Sequence, residues 1–328
     1  MEQGPSVNTN TTNSKLIKGG AGFGLLSGIT FALNGVIIGT ALTMAPFTSG
    51  TSIYIAPIVA AAMNDTISAL WLLIYNISCG RFKEIVKSIK TYPGFIVCLA
   101  ALIGGPFAMV AYLLAIQFVG PAYAMAISAL SPVFGSILAR IFLKEEIKSR
   151  VWLGIIICVT GAVLIGYVPP DGGSNPNFYI GIACSFAAAL GWGSEGVLSA
   201  HAMEKINPKV AINIRQITSG IVFTAVILPL VSGFGIYGEL LRTPATLLTI
   251  SAAALAGAVS FLSWYSANGI CGVAKGMALN ITYVFWGLIF SYLFMGAILT
   301  KNLVAGAILI ILGVMLVVID PGNIDEMV

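Results

Sequence analysis

The chain has 328 residues, of which 58% are hydrophobic and only 9% charged, against about a quarter charged in soluble proteins. A water-soluble fold of this size has nowhere to hide so much apolar surface, so a lipid bilayer must solvate most of it. The net charge of +4 is spread between apolar segments and builds no basic face, which argues against nucleic acid as a partner.

Residues 1–14 (MEQGPSVNTNTTNS) are polar and aperiodic, and the segment 1–18 reads as a disordered tail. Lys15 and Lys18 precede a long apolar run with no small-residue cleavage site after a short core, so a membrane span is expected there and not a removed signal. Apolar stretches of spanning length fall at 19–42, 54–78, 94–117, 121–143, 151–168, 178–201, 209–232, 245–268, 273–296 and 302–319. Breaks rich in Pro, Gly or charge separate them, such as RFKEIVKSIKTYPG and PPDGGSNPN. Each stretch must be helical, because an open strand edge cannot be satisfied in lipid. The expectation is an all-α membrane protein of ten transmembrane helices, with one half over 19–168, a second over 178–320 and a short tail at 321–328. Five cysteines (Cys79, Cys98, Cys158, Cys184, Cys271) stand singly in or beside these stretches and read as packing residues, with no CxxC pair.

Charge placement agrees with ten spans. If loops alternate between two sides, the N-terminal side receives Lys15, Lys18, Arg81, Lys83, Lys87, Lys90, Arg140, Lys144, Lys148, Arg150, Lys205, Lys209, Arg215 and Lys275, and the other only Arg242 and Lys301. That asymmetry places both termini in the cytoplasm. The second half also repeats the first. Sliding 103–165 onto 255–317 without gaps gives 13 identities in 63 positions, among them Gly105/Gly257, Gly120/Gly272, Gly135/Gly287, Gly154/Gly306 and Gly161/Gly313. Five spans is an odd number, so the second copy enters the membrane from the opposite face. Inverted repeats of this kind point to alternating access around a site near the midplane.

Ionisable groups inside spans are costly and are functional candidates by default. Glu195, within AALGWGSEGVLSA, and Asp65, within APIVAAAMNDTISALW, are the two carboxylates of this kind. Arg215 sits a few residues inside the seventh span, as a counter-ion or an interface anchor, and His201 ends the sixth at the interface. Trp192 shares a helix face with Glu195. Phe261, Trp264, Tyr265 and Asn268 form a stripe in the eighth span, and Asn280, Tyr283 and Trp286 another in the ninth. Trp and Tyr rings beside a lone carboxylate suit a quaternary ammonium, whose charge the ring faces attract while tolerating its methyl groups; the same rings could also be plain packing. GGAGFG at 19–24 opens a membrane helix, so Gly20, Gly24 and Gly28 read as a close-packing face and not a phosphate loop. No HExxH, GxSxG or metal-ligand cluster appears, so no enzyme, cofactor or metal is expected.

Two five-helix halves with GPAYAMAISALSPVFGSILARIFLKEEI ending the fourth span resemble the EamA-type branch of the drug/metabolite transporter superfamily. More narrowly, FGLLSGI, YIGIACSFAAALGWGSEGVLSAHAM, the IRQ-TS run and LNITYVFWGL resemble the LicB-type bacterial choline importers. The resemblance implies a choline pocket of aromatic residues from both halves with a membrane glutamate, and proton-dependent uptake. It carries the binding role onto Trp192, Glu195, Tyr265, Tyr283 and Trp286, with Trp264 and Asn280 beside them. Glu195 and Asp65 are the expected proton-coupling groups. Two departures bear on the substrate. The first-helix tryptophan of those importers aligns with Phe31, and polar positions of their third helix align with Val110 and Tyr112, where Tyr112 could add a ring. A betaine or another methylated amine is therefore a second substrate class. The competing reading is an exporter of amino acids or other metabolites on the same fold, which would want Arg215 facing the pocket.

Overall fold

A computed structural model describes residues 9–48, 54–143, 149–167, 175–271, 276 and 279–318. The expected tails at 1–8 and 321–328, and most of the break at 169–177, lie outside the described residues. Among those described there are helices and no strands. They are α1 (Thr9–Leu42), α2 (Ile55–Ser78), α3 (Phe82–Ser88), α4 (Tyr92–Leu102), α5 (Ala108–Ser128), α6 (Ser131–Leu143), α7 (Ser149–Tyr167), α8 (Phe178–Met203), α9 (Pro208–Val222), α10 (Leu228–Leu230), α11 (Phe234–Leu241), α12 (Pro244–Cys271), α13 (Tyr283–Met295) and α14 (Lys301–Val318).

Six helical runs are long and apolar enough to cross a membrane: Gly19–Leu42, Ile55–Ser78, Tyr92–Ser128, Phe178–Met203, Pro208–Leu230 and Pro244–Ile270. Trp152–Ile165, Tyr283–Met295 and Lys301–Leu316 are shorter apolar helices. The N-terminus departs from expectation, because α1 already begins at Thr9 inside the segment read as a disordered tail. Once the apolar run has paid the nucleation cost, each added residue gains a backbone hydrogen bond, so the helix extends through the polar TNTTNSK.

The predicted third and fourth spans are also divided differently. Their boundary survives as a kink at Gly120 (φ 80°, ψ 164°), a conformation open to glycine, followed by Pro121 at the start of the next turn. The fourth span then breaks a second time at Ala129–Leu130, between α5 and α6, and the ninth breaks at Ile281–Thr282, just before α13. These two breaks are 152 residues apart, the same shift that aligns the sequence repeat. A third irregularity, a π-helical segment at Ile103–Phe107, joins α4 to α5 around Pro106. Proline has no N–H to give the preceding turn, and widening the helix locally accommodates it.

Helix pairing follows the repeat. α2 runs antiparallel to α9: Ser219 meets Asp65, Asn213 donates to the Ala69 carbonyl, and Asn76 donates to the Lys209 carbonyl. α7 runs antiparallel to α14, where Gly161 faces Gly306 and Gly313 faces Gly154. Exchanging repeat partners turns the first of these glycine contacts into the second. α1 packs along α12 and α8 along α5. Large apolar side chains such as Trp71, Ile74, Trp152, Ile156, Leu248 and Leu312 point outward and exposed. Asn34, Asn64, Asp65, Glu195, Arg215 and Gln216 are buried inside. That inversion of the soluble pattern is what a bilayer solvent requires.

Candidate functional site

A small, partly open cavity lies where α1, α8 and α12 meet the two broken spans. The break after α5 contributes Ser131 and Pro132, and the break before α13 contributes Asn280, Ile281 and Tyr283. Discontinuous helices expose backbone groups only where they line a cavity, which is where membrane transporters bind their solutes. Trp192 and Glu195 come from α8, Phe261 and Trp264 from α12, and Phe31 from α1. The polar part of the wall is Ser27, Ser260 and Asn280: Asn280 donates to Ser27 Oγ at 2.7 Å, and Ser260 donates to the Ser27 carbonyl at 2.9 Å.

Phe31 is the centre of the ring cluster. Its centroid lies 4.8 Å from Tyr283, 5.6 Å from both Trp192 and Tyr112, and 6.4 Å from Phe261. Tyr112 is fully buried with its ring tilted against Trp192 at 5.0 Å, behind the wall and not on it. Tyr265 is also set back, donating to Ser199 at 3.1 Å and reaching Glu195 at 3.5 Å. Trp286 does not line the cavity. It packs against Phe285 and Phe290 along α13. Of the residues expected at the site, Trp192, Glu195, Tyr283, Trp264, Asn280 and Phe31 are brought to the wall, while Tyr112, Tyr265 and Trp286 are not.

Glu195 is not the lone carboxylate that its sequence context suggested. Arg215 of α9 donates to it twice, Nε to Oε1 at 2.7 Å and Nη2 to Oε2 at 3.1 Å. The same guanidinium places Nη1 3.5 Å from Asp65 Oδ2 and also donates to Gln216 Oε1. Asp65 is held in turn by Ser219 at 2.5 Å and Asn64 at 3.2 Å, and Asn34 of α1 donates to Asn64 at 2.9 Å. Arg215 is fully buried and absent from the cavity wall, with its guanidinium carbon 5.2 Å from the Phe261 ring centroid. A buried guanidinium between two carboxylates can offset one negative charge inside the bundle. His201, in contrast, is exposed near Glu204.

Two glycines make this cluster possible. Gly104 and Gly105 stand in the π-helical segment, and a methyl group at Gly104 would occupy the place of the Glu195 carboxylate. The Gly104 carbonyl also accepts from Trp192 Nε1 at 3.1 Å. Repeat matching singled out Gly105 but gave no sign of Gly104, and Ser27, Ser131 and Ser260 carried no signal because serines are common in packed membrane helices. Gly104→Ala should therefore displace Glu195 and impair ligand binding almost as much as changing Glu195 itself, while the protein still elutes as a folded species on size-exclusion chromatography. Wild-type affinity in that variant would show that the close approach is dispensable.

The EamA-like transporter family model matches residues 18–167 and 179–319. Protein LicB of Haemophilus influenzae is 28% identical over 281 residues, covering 83% of this chain and 87% of the relative. One crystal structure of a protein superposes with a TM-score of 0.58 at 15% identity, across 90% of this chain and 96% of its own, a likeness of fold.

Proposed function

Since the chain belongs to the EamA-like transporter family and is a multi-pass membrane protein, we propose that it takes up choline or a similar quaternary ammonium compound across the bacterial plasma membrane. Ten spans in two inverted five-helix repeats, with both termini in the cytoplasm, would move a cation by alternating access coupled to protons. The observation that carries this reading is the cavity wall. Glu195 is its one carboxylate among the described residues, set among Trp192, Phe31, Phe261, Trp264 and Tyr283. Ring faces and one carboxylate suit a methylated ammonium, whose charge is attracted without needing hydrogen bonds.

An exporter of amino acids would require a cationic side chain for the substrate carboxylate. Arg215, the candidate for that role, is spent on Glu195 and Asp65 and does not reach the wall. The charge asymmetry of the loops and the antiparallel pairing of α2 with α9 and of α7 with α14 support the inverted topology. The sequence resemblance to choline importers, with 28% identity to LicB, supports the substrate class.

The test is choline binding to purified protein, with tetramethylammonium and an amino acid as comparison probes. Trp192→Ala should weaken choline binding by about 1–2 kcal/mol, the scale of a desolvated cation–π contact, and Trp192→Phe by less. Trp286→Ala should leave affinity unchanged. A Trp192→Ala variant that folds and binds choline normally would reduce the rings to packing and remove the substrate assignment.

A further inference from the structure

The buried charges of the site do not balance. Arg215 carries one positive charge between Asp65 and Glu195, so with all three ionised the cluster keeps one negative charge in the dry interior. Such a charge is strongly unfavourable unless something compensates it. Two species can do so: a proton on one carboxylate, or a cation in the cavity beside Glu195. The groups facing the cluster are Arg215 from α9, Tyr265 from α12, and the neutral side chains Asn64 of α2 and Gln216 and Ser219 of α9.

The guanidinium is shared unevenly. It contacts both oxygens of Glu195, at 2.7 and 3.1 Å, but approaches Asp65 only to 3.5 Å. In this arrangement a cation entering the cavity meets a carboxylate that is already neutralised. Asp65 lies on the far side, off the cavity wall, and a shift of the guanidinium by about an ångström would bring Nη1 into full charge-assisted contact with it. We infer, building on the cation-transport reading above, that Arg215 is an internal counter-ion which the bound cation displaces from Glu195 onto Asp65. In the empty site Asp65 holds a proton and Arg215 rests on Glu195. When the cation binds, the O–H bond of the Asp65 carboxyl breaks, the proton leaves for solvent, the guanidinium takes its place, and the cation takes the guanidinium's place at Glu195. The cluster is neutral before and after. Asp65 is thus a positioning residue that acts on the ligand through Arg215, without touching it.

The experiment is calorimetric titration of the full-length protein in lipid nanodiscs with choline chloride, in buffers of different ionisation enthalpy, so that affinity and proton release are read together. Wild type should release about one proton per choline bound. In Asp65→Asn the guanidinium has no second carboxylate to move to. Affinity should fall about tenfold or more, on the scale of a lost buried charge partner, and proton release should vanish although residue 65 lies off the wall. Asp65→Glu should recover both in part. Choline binding by wild type without proton release overturns the exchange, whether or not the asparagine variant folds. So does an asparagine variant that keeps its proton release, at any affinity. Each of these leaves the cation reading standing, whereas failure of wild type to bind choline or tetramethylammonium overturns that reading itself.

Discussion

Glu195→Gln should lower choline affinity about thirtyfold or more and stop uptake into proteoliposomes, the scale expected when one partner of a buried charge pair is lost. The substitution keeps the volume of the side chain, so Trp192, Phe261 and the Gly104 approach remain packed as they are. It removes the one negative charge on the cavity wall. Arg215 then faces an amide in place of a carboxylate and can pair only with Asp65. A cation entering the cavity would add a positive charge next to a guanidinium with no carboxylate between them, which opposes binding beyond the loss of attraction. Affinity should be measured on protein that elutes as wild type on size-exclusion chromatography. Wild-type affinity and uptake in this variant would make Glu195 a packing residue and remove the charge-based mechanism.

Arg215→Gln should be the most destabilising single substitution in the cluster, at about 3–5 kcal/mol, because it leaves the Glu195 carboxylate buried without its guanidinium partner. The cost should be electrostatic and not a matter of lost volume, and a double variant separates the two. Glu195→Gln with Arg215→Gln removes the stranded carboxylate and should recover part of the lost stability, a coupling that thermal unfolding in one fixed detergent can read. If the double variant is no more stable than Arg215→Gln alone, the guanidinium matters for packing, through contacts such as the one with Phe261, and not for charge balance.

Much of the architecture was legible in the chain because a bilayer simplifies the problem. Apolar length defines the helices, since every backbone group must be satisfied within its own segment. Self-similarity at a fixed shift found Gly154, Gly161, Gly306 and Gly313, which meet across α7 and α14. Gly120 followed by Pro121 marked the boundary between two spans, where φ is positive. The aromatic positions at helical spacing from Glu195 were equally readable, because residues three or four apart share one face of one helix. Trp192 reached the wall for that reason.

Relations between helices were beyond this kind of reading. The pairing of Arg215 with Glu195 and Asp65 joins three helices, and no spacing within any one of them encodes it. The same holds for Trp286: periodicity placed it on a stripe with Tyr283, but the way α13 packs on its neighbours brings only Tyr283 to the cavity and sets Trp286 against Phe290. The sequence by itself determined that the chain lives in a membrane, that its halves are related, and which charged groups are too costly to be idle. Only the tertiary structure decided which of those groups neutralise one another and which one is left facing the cavity. Burial can be read from local composition, whereas electrostatic compensation depends on distances between segments that are far apart in the chain.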